Sequence, residues 1–150
     1  MPEKVSALGL DVGKKRVGVA GCDGTGLIAT GLTTLERTTF AQDVEWFKKL
    51  IAERDATVLV VGLPYTMDGG LGKQAEQVQR YAERLKNALD IALEYVDERC
   101  TSIEAEEYLK QKKGWNSRDK ARIDRVAATI ILQQWLDQQR NSNSENYHIL

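Results

Sequence analysis

The chain has 150 residues, with 21 lysines and arginines against 22 aspartates and glutamates and a net charge of −1. This length suits one domain with a single core, and no run approaches the roughly 18 apolar residues of a membrane span. The near-neutral charge excludes a strongly basic nucleic-acid coat but leaves a local basic patch open. We therefore expect a soluble globular protein without a membrane segment.

Histidine and cysteine usage excludes several kinds of site. The one histidine, His148, lies in a polar C-terminal segment, so we expect no Ser-His-Asp triad, Cys-His pair or histidine-ligated zinc. Cys22 and Cys100 are far apart and form no CxxC pair, and the N-terminal apolar run is too short for a signal peptide. Reduced thiols and a cytoplasmic location are the expectation.

The first third of the chain is predicted to be extended. Short runs rich in Val, Ile, Leu and Thr are separated by glycine-containing turns, a pattern typical of antiparallel hairpins. The predicted strands are Val5–Val12, Arg16–Cys22 and Leu27–Leu35.

Helices and strands then alternate. Apolar residues at helical spacing predict amphipathic helices, and short β-branched runs predict strands covered on both faces. A glycine-rich loop is predicted from Pro64 to Lys73. The remaining predicted elements are a helix at Phe40–Arg54, a strand at Thr57–Leu63, a helix at Gln74–Leu89, a strand at Ile91–Asp97, and helices at Ser102–Lys112 and Lys120–Gln138.

This order of elements predicts an α/β fold with a five-stranded mixed sheet, in which three antiparallel hairpin strands join parallel strands and helices flank the sheet. Residues 1–140 would form one domain, and residues 141–150 a polar, flexible tail. Ligands of open α/β sheets bind beyond the carboxyl ends of the parallel strands. That rule places Asp11, the Pro64 loop and the pair Asp97-Glu98 at one edge.

Acidic residues form the sharpest candidate site. Asp11 closes an apolar strand, Asp97 and Glu98 end another, and Asp124 lies on the apolar stripe of the last helix. Buried carboxylates require a cation, a donor or a metal, and hard oxygen ligands suit Mg²⁺ or Mn²⁺. Such a site hydrolyses phosphodiesters without a histidine base. Taken one at a time, acids at such positions are more often helix caps or partners of an arginine than metal ligands, and only the joint pattern favours a metal site.

Basic residues lie beside these acids. A turn with Gly13, Lys14 and Arg16 follows Asp11, and such turns either cradle phosphate or are simply solvated. From Lys110 to Arg125 the chain has seven cations against two acids, and this run flanks Asp124. A nuclease needs this arrangement to hold a polyanion beside its metal ions.

Four ordered motifs resemble the YqgF family, the Holliday-junction-resolvase-like proteins also described as nucleases of pre-16S ribosomal RNA. The resemblance runs from about Ala7 to Asp137. Its motifs are Leu10-Asp11-Val12-Gly13 with Arg16–Ala20, Val61–Pro64 with Met67-Asp68-Gly69, Asp97-Glu98-Arg99 with Thr101-Ser102 and Glu104-Ala105, and Ile123-Asp124 with Ala127-Ala128 and Ile130–Leu132. One departure is Cys100, where the family pattern has an aliphatic residue.

The resemblance implies an RNase H-like fold and a Mg²⁺- or Mn²⁺-dependent nuclease that matures the end of the small-subunit ribosomal RNA precursor. Asp11, Glu98 and Asp124 would be the catalytic metal ligands, and Asp97 a weaker fourth ligand, since strand alternation lets only one of Asp97 and Glu98 face the site. The residues that we assign to phosphate and nucleic-acid contact are Gly13, Lys14, Arg16, Pro64, Asp68, Gly69, Arg99, Lys120 and Arg122.

Three hypotheses remain open at this point. The first is an endonuclease acting on structured RNA or on branched DNA, as a monomer or weak dimer. The second is a nucleic-acid-binding module of the same fold with weak catalysis. The third is an ATP-binding fragment of the sugar-kinase and actin type, whose first hairpin also carries an Asp-x-Gly loop, although such proteins need two domains to close around the nucleotide.

Overall fold

A computed structural model of the chain describes residues 6–64, 70, 72–97 and 117–149, with side chains in the last of these ranges described for residues 121–141. The strands are β1 (Ala7–Val12), β2 (Arg16–Cys22), β3 (Ala29–Glu36), β4 (Val58–Leu63) and β5 (Ala92–Asp97). The helices are α1 (Phe40–Arg54), α2 (Lys73–Leu89) and α3 (Ser117–Ile149).

The five strands form one mixed sheet in the order β3-β2-β1-β4-β5. The hairpin strands pair antiparallel, with Leu10 opposite Val19 and Asp11 opposite Gly18. Strands β1, β4 and β5 run parallel, so their carboxyl ends share one edge. The predicted fold class and strand arrangement are confirmed.

The two faces of the sheet pack against different helices. Alternate residues of β1, such as Leu8 and Leu10, join Phe47 of α1 and Leu85 of α2 in one core. The other face carries small side chains, among them Ala7, Ala20 and Val60, and packs against α3. The apolar residues of α3 in this second core are Ala128, Ile131, Leu132, Trp135 and Leu136. The pleat of a strand sends successive side chains to opposite faces, so neighbouring residues at a strand end serve different surfaces.

Local capping fixes the ends of α1 and α2. Thr39 caps α1, its hydroxyl accepting from the Gln42 N–H at 3.2 Å. Asp55 and Asp90 close α1 and α2 in the left-handed region, at φ 53° and 51°. None of the described helices is both long enough and apolar enough to cross a membrane.

The last helix differs from its prediction. It was expected to end at Gln138, and it continues to Ile149. The prediction followed the apolar stripe, which stops there, but a helix needs only its own backbone hydrogen bonds and no glycine or proline interrupts residues 117–149. The predicted mobility of residues 141–150, like the domain boundary at 140, stays a prediction. The predicted helix Ser102–Lys112 lies outside the described residues.

Candidate active site

Asp11 sits near the carboxyl end of β1, on the face that packs against α3. Its cross-strand partner is Gly18, and Gly9 precedes it on the same face. The residues on either side of Asp11, Leu10 and Val12, are buried against the helices of the opposite face. The strand pleat therefore delivers the Asp11 carboxylate to the surface where α3 crosses the hairpin.

Glycine at position 18 brings α3 onto this hairpin. A Cβ at Gly18 would lie 2.0 Å from the backbone oxygen of Asp124 and 2.9 Å from its Cβ. Gly9 is similarly covered, with a Cβ there lying 2.6 Å from the Cβ of Leu132. The helix backbone thus rests directly on the strands, and because Gly18 pairs with Asp11, the contact places Asp124 beside Asp11.

The pKa values of both carboxylates are raised. Burial, followed by repulsion from Asp124, raises the pKa of Asp11 from 3.8 to about 7. Burial also raises the pKa of Asp124, while the hydrogen bond and the charge of Arg16 lower it in part. A close carboxylate pair with perturbed pKa values is characteristic of functional sites.

Arg16 and the β1–β2 turn close the site on one side. The Arg16 Nε donates to Oδ2 of Asp124 at 2.9 Å, with 31% and 20% of the two side chains exposed. The turn is held by the Gly13 N–H, which donates to the Arg16 carbonyl at 2.8 Å. Arg16 therefore neutralises Asp124 while it remains accessible to an anionic ligand.

Comparison with known proteins identifies the family. A sequence model of the RuvX family, described as Holliday junction resolvase, matches residues 5–138. The chain belongs to this family. RuvX and YqgF are two names of one family, so the resemblance to the YqgF family is confirmed.

Curated relatives match this RuvX protein along nearly their whole length. A curated relative in Microcystis aeruginosa, provisionally named pre-16S rRNA nuclease, is 65% identical over 142 residues, covering 95% of this chain and 98% of the relative. One in Gloeothece citriformis carries the same name and is 69% identical over 141 residues, covering 94% and 93%.

Solved structures show the same fold at low identity. RuvC from Thermus thermophilus, in complex with a Holliday junction substrate, has a TM-score of 0.55 at 9% identity and covers 91% of this chain and 96% of that chain. A fowlpox virus resolvase bound to Holliday junction DNA has a TM-score of 0.51 at 8% identity, covering 90% and 99%. The RuvX protein has the RNase H-like fold that these nucleases share.

The structure separates the predicted acidic ligands. Asp11 and Asp124 come together, but Asp97 does not join them. In β5, Val96 packs on the α3 side and Tyr95 on the α1 and α2 side, so Asp97 follows Tyr95 to the face opposite Asp11. Among the described residues, no group of three or more His, Cys, Asp or Glu side chains is placed to hold a metal ion.

The predicted phosphate contacts are also divided. Gly13 and Lys14 line a cavity on the opposite side of the turn from Arg16. Pro64 follows β4 at the same sheet edge, and Arg122 is exposed on α3, two residues before Asp124. Glu98, Asp68, Gly69 and Arg99 lie outside the described residues, as does the side chain of Lys120.

The described donor set fits a divalent cation. Asp11 and Asp124 offer hard carboxylate oxygens, and their mutual repulsion is the kind that a shared cation relieves. Sequence reasoning found both acids because each interrupts an apolar pattern. It missed Gly18, whose signal was available, since a glycine opposite an inward-facing acid marks a close backbone approach.

Proposed function

We propose that the protein is a divalent-metal-dependent endonuclease that hydrolyses a phosphodiester bond in structured RNA, at the end of the 16S ribosomal RNA precursor. The observation that carries this proposal is the close, partly buried pair Asp11 and Asp124 at the carboxyl edge of an RNase H-like sheet. Membership of the RuvX family supports nuclease chemistry for that pair.

Asp11 and Asp124 would hold Mg²⁺ or Mn²⁺. Since Asp97 lies on the opposite face, the alternation of β5 favours Glu98 as the third ligand. The bound ions would supply activation of water and stabilisation of the leaving oxygen. Arg16, paired with Asp124 and partly exposed, would orient the scissile phosphate toward the two acids.

The proposed substrate is taken from the names of closely similar proteins. Proteins that are 65% and 69% identical along nearly their whole length are named for pre-16S rRNA, and we extend that substrate to this chain, together with action in the cytoplasm. The family description favours a second candidate, resolution of a Holliday junction in DNA. Branched DNA and structured RNA present the same phosphodiester chemistry, so the substrate has to be tested directly.

The test is a cleavage assay with purified wild type and two variants. Precursor 16S ribosomal RNA and a four-way DNA junction are each incubated with Mg²⁺ or Mn²⁺. Asp11→Asn should lose at least about 10²- to 10³-fold in cleavage rate, the loss that follows removal of one stabilising group in an active site. Asp97→Asn changes the same charge on the opposite face and should retain the wild-type rate.

The outcomes separate the candidates. Cleavage of the RNA precursor alone supports the proposal, and cleavage of the junction alone replaces it with the resolvase function. Full activity of Asp11→Asn would show that the acid pair is not the catalytic site. Cleavage of neither nucleic acid, with binding retained, would leave a binding module of this fold.

A further inference from the structure

A cavity of about 500 Å³ opens on the face opposite the acid pair. It lies between the β1–β2 turn and the first turns of α2, so only the turn separates it from Asp11. Its described lining consists of Val12, Gly13, Lys14, Arg37, Lys73, Gln74, Gln77 and Val78.

The charge of this cavity is positive. Lys14, Arg37 and Lys73 come from three separate elements, and no described lining residue is acidic. Helix α2 begins at Lys73, so the partial positive charge of its N-terminus adds to that of the side chains. Glu76, the acid of the first turn, lines a neighbouring groove with Arg80 instead.

Arg37 is held in place by a built network. Its guanidinium lies 4.0 Å from the centroid of the Tyr81 ring, and Nη1 donates to the Gly13 carbonyl at 2.6 Å. Behind it, the buried carboxylate of Asp43 accepts from the Tyr81 hydroxyl at 2.9 Å and lies 4.0 Å from the Arg37 Nε. An arginine fixed in this way loses little conformational entropy when it binds an anion.

We propose that this cavity binds a phosphodiester group of the nucleic acid, next along the strand to the scissile group that Arg16 would orient toward the acid pair. The inference rests on the proposed function. Asp11 and the cavity residues Val12 and Gly13 are consecutive, so a strand crossing the β1–β2 turn meets Arg16 on one side and Lys14 on the other. The volume exceeds the needs of one phosphate, and Val12 and Val78 provide apolar wall for the attached sugar.

The test measures binding of a fluorescently labelled structured RNA from a 16S precursor, in the uncleaving Asp11→Asn background. Lys73→Gln and Lys14→Gln should each weaken binding roughly tenfold at 0.1 M salt and lower the slope of log K against log salt by about 0.7 to 0.9. Lys86→Gln removes the same charge from an exposed position at the other end of α2 and should bind like its parent.

Inorganic phosphate and adenosine monophosphate are titrated in parallel, to distinguish a polymer phosphate from a free one. Equal RNA affinity for Lys73→Gln and Lys86→Gln would overturn the proposal. Loss of mononucleotide binding in Lys73→Gln with RNA affinity unchanged would overturn it in favour of a free-phosphate site. The readout needs no cleavage, so an inactive wild type would reject the proposed function without affecting this result.

Discussion

The end of β1 borders two surfaces of opposite charge. On the α3 side, Asp11 and Asp124 are two partly buried acids that repel one another, and Arg16 pairs with Asp124. On the α2 side, Lys14, Arg37 and Lys73 line a cavity without a described acid. One strand pleat therefore separates the groups suited to a metal ion from those suited to a phosphate, and under the proposals above one strand of nucleic acid would contact both.

Displacing α3 from the hairpin should have the largest effect on the acid pair. Gly18→Ala places a Cβ against the Asp124 backbone, so we expect cleavage to be lost and the free energy of unfolding to fall by at least about 3 kcal/mol. Urea denaturation and the cleavage assay check this. Gly31→Ala is the matched control, because its Cβ would come no closer to α3 than 3.2 Å, the distance to the Thr129 hydroxyl. Equal losses in both variants would contradict the specific role of Gly18.

The pH dependence of the folding stability tests the raised pKa of Asp11. Without divalent metal, the pKa of Asp11 is about 7 in the folded protein and 3.8 as the reference value. The folded state then binds more protons than the unfolded state between about pH 4 and pH 7, so this group's contribution to stability falls as pH rises through that window. The loss is at most about 4 kcal/mol.

Asp11→Asn removes this dependence. Compared with wild type in metal-free buffer, the variant should gain stability progressively from pH 5 to pH 8, as measured by urea denaturation at each pH. Asp97→Asn serves as the control and should track wild type. A constant difference between Asp11→Asn and wild type over this range would show that burial does not raise the pKa of Asp11.

The smallest expected effect concerns the network behind the basic cavity. Tyr81→Phe removes the hydroxyl that donates to the buried Asp43, which should cost about 1–3 kcal/mol in unfolding free energy while the aromatic ring still supports Arg37. Tyr95→Phe breaks an exposed bond to Glu83 and should cost less than about 0.5 kcal/mol. Equal midpoints for the two variants in urea would contradict the role given to Asp43.

Sequence reasoning predicted the strands and the acid pair for the same physical reason. The alternation of a strand and the apolar stripe of a helix are local patterns. Asp11 and Asp124 each occupy a position at which the pattern predicts an apolar side chain. The predicted end of α3 at Gln138 was wrong. The polar residues after Gln138 lack apolar periodicity, but they do not stop a helix.

The basic cavity was not predictable in the same way. Arg37 follows β3 and Lys73 begins α2, and neither stands out from its neighbours in the sequence. Only the folding of three segments around one turn brings them beside Lys14. The resemblance places Lys14 near the scissile phosphate, which stays a prediction; the structure shows that Lys14 lines the cavity on the α2 side of the turn.

The packing of α3 against Gly18 bears on when, during translation of the chain, the acid pair is assembled. Arg16 and Asp124 are 108 residues apart in the chain, and the acid pair depends on the same long-range contact. A nascent chain that has reached only β5 can form its sheet but still lacks Asp124. Under the proposed function, hydrolytic competence would therefore arrive with α3, late in translation, and a shorter nascent chain would be unable to cut the RNA around it.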